Sequence, residues 1–577
     1  MTETITIASN ATLAKLHKPS RDVKLQVQSI LGYAVAGAEH SMAFKKGSWD
    51  GRSSFFEFKL GTFPAGFVHF VSAKLREKGY TVNLVRKPLP SPLGPLKPIV
   101  DAFGDDPRYD YQPEVVNRLV KHGQIIAQVA TGGGKSRIAK MAYVRIGRPT
   151  LFLTTRGILM YQMKNSFERD LNMKVSVLGD GQFGHMITEA GLERLAVRKM
   201  CVGMVQTLIA RLEEQTVAGE KDKMLNALVK RELKELKAYR LSFEKAKHLE
   251  PAIRAELAKI EKQQELARPT SARLTKVATT KVERHMKERA QTIQLLGMFE
   301  LVILEEAHEA SGNSYFEILK HCKNAHYRLA LTATPFMKDS EESNMRLMAC
   351  SGPIAIRITE KMLIDRGILA RPYFKIIPTL VKPAKLHKHT AWQAAYRLGI
   401  VENEHRNNAI ADECLRMTSY GLTSMVLIQQ TKHGELLEAL LKRGLRVDFI
   451  QGEDDQEGRQ AALKKLAAGQ LDVLIGTTIL DVGVDVPAVG HICLAGGGKA
   501  EVALRQRIGR GLRAKKVGPN VAFVTDFEDS QNLHLRGHAQ QRLAIIKGTP
   551  GFDENVLEGG KNFDFEALGF KRSAIAA

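Results

Sequence analysis

The stretch "IIAQVATGGGKSRIAK", residues 125–140, decides the fold. An apolar run short enough for a strand leads into three glycines, a lysine and a serine, and then into residues at helical spacing. Consecutive glycines let backbone N–H groups curl around a phosphate. The lysine reaches its outer oxygens, and a serine at the helix start can ligate Mg²⁺. Thr131, Gly132, Gly133, Gly134, Lys135 and Ser136 are therefore a candidate cradle for ATP with Mg²⁺. The spacing GxxxxGK[ST] fails at one position, because Val129 stands where its first glycine belongs. Taken alone, these residues could also be a glycine turn beside a chance lysine.

The partner of such a cradle is a strand ending in acids, and "LVILEEAHEA", residues 301–310, has that form. Its first acid, Glu305, would sit on the metal side, and Glu306 would polarise the attacking water as general base. Aspartate is usual at the first position. Glutamate keeps the charge and adds a methylene, which predicts a looser metal site rather than a lost one. In "LALTATP", residues 329–335, Thr332 and Thr334 could link the phosphate site to its surroundings. In "TTILDVGVDVP", residues 477–487, Gly483 supplies flexibility and Asp485 an acid after a strand. "QRIGRGLR", residues 506–513, spaces arginines three apart, and Arg510 and Arg513 can point at one phosphate. A basic helix face would look the same.

A chain of 577 residues is too long for one core. Lys+Arg outnumber Asp+Glu by 85 to 62, a formal +23, which makes a polyanion the natural partner, with basicity for solubility alone as the other reading. Five scattered cysteines without CxxC spacing suggest a reducing cytoplasm and no zinc. "MTETITIASN" lacks a basic and then apolar leader, and no run of ~18 apolar residues occurs, so neither secretion nor a membrane span is expected.

Short β-branched runs alternate with helical patterns twice. The first series is "IIAQVA", "TLFLTT", "MCVGMV", "LVILEE" and "YRLALTAT"; the second is "MVLIQQ", "VDFIQG", "DVLIGTT", "HICLAG" and "VAFVTD". Two tandem α/β domains with parallel sheets follow. The expected division is an accessory α+β domain with a stiff Pro-rich linker (1–97), a first parallel-sheet domain (98–368), a second (369–530), and a closing helix and tail (531–577). Residues 211–298, rich in Lys, Glu, Ala and Leu, should form a mildly basic antiparallel helical insertion that touches DNA, a protein partner or only solvent.

The ordered set "YQ" (Tyr111, Gln112), "TGGGKS", "TTRGILMYQ", "MVQTL", "EEAH", "TATP", "TTILDVGVDVP" and "QRIGRGLR" closely resembles superfamily 2 helicases and translocases over residues 108–526. The resemblance implies two RecA-like domains with ATP in the cleft and nucleic acid across both. It implies that Gln112 reads adenine, that His308 and Gln506 couple across the cleft, and that Asp485 sits near the ribose. Arg510 and Arg513 would complete the transition-state site. Thr155, Arg156, Gln206, Thr207 and Thr477 would grip phosphates without reading sequence. Residues 43–85, with the G-x-W-D-G-R hairpin, resemble the small N-terminal domain of UvsW-type helicases of tailed phages. An ATP-driven motor on branched or double-stranded DNA is then implied, acting in branch migration, fork regression, R-loop removal or annealing inside a bacterial host. Lys45 and Arg52 could add a second DNA contact, with Trp49 packed under the hairpin or stacked on a base. An RNA helicase and a DNA-binding scaffold with a decayed ATPase are the other readings. Nothing in the sequence demands more than a monomer.

Overall fold

Fifteen or more residues separate most of the β-branched runs, room for a helix in each gap, and the computed structural model has that alternation. It describes residues 3–101, 105–181, 200–243, 258–260, 262, 269–336, 340–451, 456–477, 489–498, 504–505, 508–509, 512–515 and 518–572.

The amino-terminal module holds strands β1 (Thr4–Ser9), β2 (Leu13–His17), β3 (Gly32–Ala34), β4 (Arg52–Ser54), β5 (Thr62–Pro64) and β6 (Thr81–Arg86). Four of them form a sheet in the order β5-β2-β1-β6, and β3 pairs with β4 in a separate hairpin. Helices Arg21–Ile30 and Val68–Glu77 bury Val23, Val27, Val71 and Leu75 with Ile7, Phe63 and Phe67. This core also takes in Met345 and Ala349 of the following domain, so the module is fused to it by packing.

The first large sheet is built from β7 (Gln124–Val129), β8 (Thr150–Thr154), β9 (Ser176–Leu178), β10 (Met200–Met204), β11 (Leu301–Glu305), β12 (Tyr327–Thr332) and β13 (Ile354–Ile358). Its order is β13-β7-β12-β11-β8-β10-β9, with every described pairing parallel. The second large sheet contains β14 (Arg371–Pro378), β15 (Ser424–Leu427), β16 (Val447–Ile450), β17 (Val473–Gly476), β18 (His491–Cys493), β19 (Val521–Glu528) and β20 (Val556–Leu557). It runs β16-β17-β15-β18-β19-β14-β20, again parallel. Both are RecA-like. In a parallel sheet all strands end on one side, so the loops that follow them gather there, among them those that carry Thr131 to Gly134, Thr155, Arg156, Glu306, Thr334 and Thr477.

The Pro-rich segment differs from its expectation as a linker. Leu93 and Gly94 donate backbone N–H groups to Ile146 and Arg145, Arg148 donates to the Ser91 carbonyl, and the Tyr327 hydroxyl to that of Pro90. It is a strap bound along the first domain: an extended chain leaves its carbonyls free, and neighbouring donors take them. Helices Val217–Phe243 and Ser271–Leu296 of the insertion lie antiparallel, joined by Arg289 to Glu214 (2.8 Å) and Lys281 to Glu220 (3.4 Å). The five cysteines are buried, and no disulfide joins them. No helix among the described residues is long and apolar enough to cross a membrane.

Candidate functional site

β7 ends at Val129, and the chain turns through residues 131–134 into the helix Lys135–Ile146. Gly132 and Gly134 have φ of +87° and +79°, a region that residues with a Cβ avoid. Val129 is fully buried and fills the space beneath the loop, where a Cβ on Gly133 would stand 2.7 Å from its Cγ1. Packing thus absorbs the departure from GxxxxGK[ST]. The Tyr111 hydroxyl and Gln112 Nε2 both donate to the Gly133 carbonyl, at 2.9 and 3.1 Å. Burial pushes the Tyr111 phenol up to about 12, which keeps it a donor. Arg137 donates to Gln112 Oε1 and, at 2.7 Å, to Asp101. Both ends of the Gln112 amide are spent on the loop and its helix. In this structure Gln112 braces the cradle and does not face outward toward a base, because the buried Gly133 carbonyl requires donors.

β11 delivers Glu305 at its end, and Glu306 follows in the left-handed conformation (φ +45°, ψ 50°), uncommon and strained for a residue with a side chain. Oε2 of each glutamate is buried without a hydrogen-bond partner. Burial pushes the Glu305 carboxyl up to about 7; Glu306 adds to the rise and Lys135 opposes it. The orphaned Glu305 Oε2, on a carboxyl that feels the Lys135 ammonium, is the hard-oxygen donor that Mg²⁺ takes, and Ser136 in the first turn of the helix after the loop offers a hydroxyl of the same kind, so the residues fit that ion. His308 Nδ1 lies 3.3 Å from Thr332 Oγ1 and 3.4 Å from Glu306 Oε2. Thr332 Oγ1 accepts from the Thr334 N–H at 3.2 Å, and the Thr334 hydroxyl is buried and unpartnered. Burial holds the His308 imidazole below its ordinary pKa, although Glu306 and Glu309 oppose this.

Thr155 and Arg156 follow β8, and Gln206 and Thr207 occupy the first turn of the helix Val205–Leu212 after β10, the adjacent strand. The structure therefore gathers these four at one end of the sheet. Thr477 follows β17 of the other sheet, with its buried hydroxyl lacking a partner among the described residues. Lys45 and Arg52 are exposed on the module's hairpin region, and Arg52 lies 3.6 Å from Glu341. The Trp49 indole donates to the Arg52 carbonyl at 2.7 Å. Gly483, Asp485, Gln506 and Arg510 lie outside the described residues. Arg513 is exposed and its backbone bridges Leu369. Gly509 meets the cradle itself, where an added Cβ would stand 2.7 Å from Thr131 Cβ.

Two residues escaped the sequence reading. Glu309 accepts a hydrogen bond from the Thr155 hydroxyl and one from Arg156 at 3.4 Å. Its signal was its place three residues after Glu306, since a 3₁₀ turn, here Ala307–Ser311, stacks residues three apart. Arg505 pairs with the buried Glu360 at 2.9 Å, a contact no local pattern announces.

A phosphate loop and a carboxylate strand end on one parallel sheet, with Leu369 and Gly509 packed against that loop, define a P-loop nucleotide-binding core. Residues 107–337 match the family "Type III restriction enzyme, res subunit", and residues 406–515 match "Helicase conserved C-terminal domain". The chain belongs with the superfamily 2 helicases and resembles their UvsW-type branch. The ATP-dependent DNA helicase uvsW of Enterobacteria phage T4 is 25% identical over 251 residues, 42% of this chain and 48% of that protein. The DEAD-box ATP-dependent RNA helicase CshA of Geobacillus kaustophilus is 32% identical over 134 residues, 23% of this chain and 28% of that protein. The crystal structure of T4 UvsW aligns with a TM-score of 0.41 at 16% identity, covering 96% of this chain and 99% of that one. The chain spans less than half the length of the curated relatives it matches.

Proposed function

We propose that the chain is an ATP-hydrolysing motor on branched or double-stranded DNA, acting in branch migration, fork regression, R-loop unwinding or annealing. The observation that carries this reading is the pair of buried carboxylates beside Lys135, with Glu305 Oε2 left without a hydrogen-bond partner and Glu306 Oε2 3.4 Å from His308 Nδ1. In the proposal, Thr131 to Gly134 and Lys135 hold the phosphates of ATP, and Ser136 and Glu305 hold Mg²⁺. The ion supplies charge neutralisation at the phosphate oxygens when bound. Glu306 orients and deprotonates the attacking water, while His308, Thr332 and Thr334 tie that carboxylate to the next strand. Arg510 and Arg513 complete the site from the second domain, with Gln506, Gly483 and Asp485 beside the nucleotide. Thr155, Arg156, Gln206, Thr207 and Thr477 take nucleic-acid phosphates, and Lys45 and Arg52 provide an outlying contact. The functional division is the accessory module (1–97), first motor domain (98–368, inserted at 211–298), second motor domain (369–530) and closing segment (531–577). The longer of the two alignments, to a protein named as a DNA helicase, supports DNA over RNA.

ATP turnover measured with and without a four-way DNA junction tests the reading. Junction-stimulated turnover in the unchanged chain, reduced at least ~100-fold by Glu306→Gln, is expected for loss of a general base. Glu305→Asp should stay active. An inactive unchanged chain that Glu305→Asp revives would mean a binding scaffold, and stimulation by RNA alone would mean an RNA motor.

A further inference from the structure

From Thr379 to Val401 the chain contains no acid, and Lys382, Lys385, His387, Lys388 and His389 fall within eight residues of it. All five are exposed, whereas Leu386 between them is fully buried with Ala395, Tyr396, Ile400 and Leu535. The loop is also built from behind. Asn532, itself fully buried, has Nδ2 within hydrogen-bond distance of the carbonyls of His387 (2.9 Å), Lys388 (3.1 Å) and Thr390 (3.0 Å). The Leu533 N–H donates to the Lys388 carbonyl at 3.1 Å, and the His387 N–H to the Thr390 hydroxyl at 2.9 Å. Among the described residues none of the three lysines forms an ion pair with a carboxylate, while Arg397 just beyond pairs with Glu402 at 3.2 Å. A run of cations kept only for solubility would not need a backbone locked by a buried side chain.

The position of the loop says what such a surface would meet. It leaves the C-terminal end of β14, the end of the sheet at which Thr477 leaves β17. The two strands stand four places apart in the sheet, roughly 19 Å at ~4.8 Å per strand. The ground between them is occupied by the loop after β18, to which Tyr396 is tied through the Gly496 carbonyl (2.7 Å) and Gln429 through that of Gly497 (3.1 Å). A phosphate chain held at Thr477 can thus continue across this end of the domain.

We infer that the loop carrying Lys382, Lys385 and Lys388 is a second phosphate-gripping surface, which holds a stretch of nucleic-acid backbone beyond the one at Thr477. It rests on the reading of the chain as a nucleic-acid motor and adds to it a place where the second domain holds its track. Backbone phosphates release counterions when lysines neutralise them, so the surface acts through salt-dependent affinity without reading sequence.

The test uses the full chain with Lys382→Gln, Lys385→Gln and Lys388→Gln combined, and follows binding of a labelled four-way DNA junction by anisotropy across a salt series. Each lost phosphate contact lowers the slope of log affinity against log salt by about 0.9, so a fall of roughly 2 to 3 is expected, with affinity at least ~10-fold weaker. A control with Lys442, Lys464 and Lys465 changed to Gln removes the same net charge from other helices of the domain, and its slope should fall by less than ~1. The triple Lys→Arg variant should retain the unchanged chain's slope. A Gln triple with the slope of the unchanged chain, or no steeper a loss than the control, overturns the inference and leaves the motor reading standing. No DNA binding by the unchanged chain at any salt overturns both.

Discussion

Glu309 holds groups that a nucleic-acid phosphate would want. Its carboxylate takes the Thr155 hydroxyl and sits by the Arg156 guanidinium, one 3₁₀ turn from Glu306. A phosphate arriving at Thr155 and Arg156 must displace or repel it. Glu309→Gln should therefore bind a DNA duplex more tightly at low salt, by about two- to five-fold, the worth of an ion pair of ~0.5–1 kcal/mol. Anisotropy titration reads this directly, and an unchanged or weaker affinity would refute it. The cradle is legible in the amino-acid sequence itself, since three consecutive glycines, a lysine and a serine at a helix start leave few alternatives. Glu309 is not, because its partners lie about 150 residues away in the chain. The bracing role of Gln112 is hidden for a related reason: a motif names a residue, while its hydrogen bonds depend on which carbonyls the packing leaves bare.

The strands show the same division. All ten quoted apolar runs contain strands of the two large sheets, whereas β9, β13, β20 and β14 have no such run, β14 because Pro372, Lys375 and Pro378 break up its apolar residues. Two of those have three or fewer residues, and β13 is an edge strand with a half-exposed face, so neither alternation nor apolar length marks them. Inside the second sheet, β18 carries a polar crosslink. His491, fully buried, bonds Ser424 of β15 through Nδ1 and Thr525 of β19 through Nε2, each at 2.9 Å. Burial first, then Lys375, lowers its pKa to about 3. The fold therefore holds the neutral ring, and the unfolded chain, with an ordinary histidine near 6.5, binds the extra proton. Stability is complete above ~6.5 and falls as pH drops toward 3, by about 1.4 kcal/mol per unit from this group. Denaturant unfolding at pH 7 and pH 5 should differ by roughly 2 kcal/mol on its account. His491→Asn should be less stable at pH 7 yet show a flatter dependence; an equally steep curve would rule the crosslink out as its source.

At the scale of the molecule, the decisive feature is how the pieces are joined. The Pro-rich strap reads as a spacer because proline stiffness is a local property, whereas its hydrogen bonds to residues 145–148 and 327 depend on the folded domain. The module is seated just as closely. A Cβ on Gly66 would stand 2.2 Å from the Met348 carbonyl oxygen, a backbone atom that cannot move aside. Gly66→Ala should loosen the seat by about 1–3 kcal/mol, the usual cost of overpacking. Trypsin should then cut faster after the exposed Arg86, where the strap begins, and unchanged cleavage would mean that the seat gives way without cost. A module fixed in this way cannot swing by itself. On the proposed function, the separation between its hairpin and the basic loop after β14 would change only when one parallel-sheet domain moves against the other. A motor built this way would carry a ruler for its own stroke, with one mark on each domain.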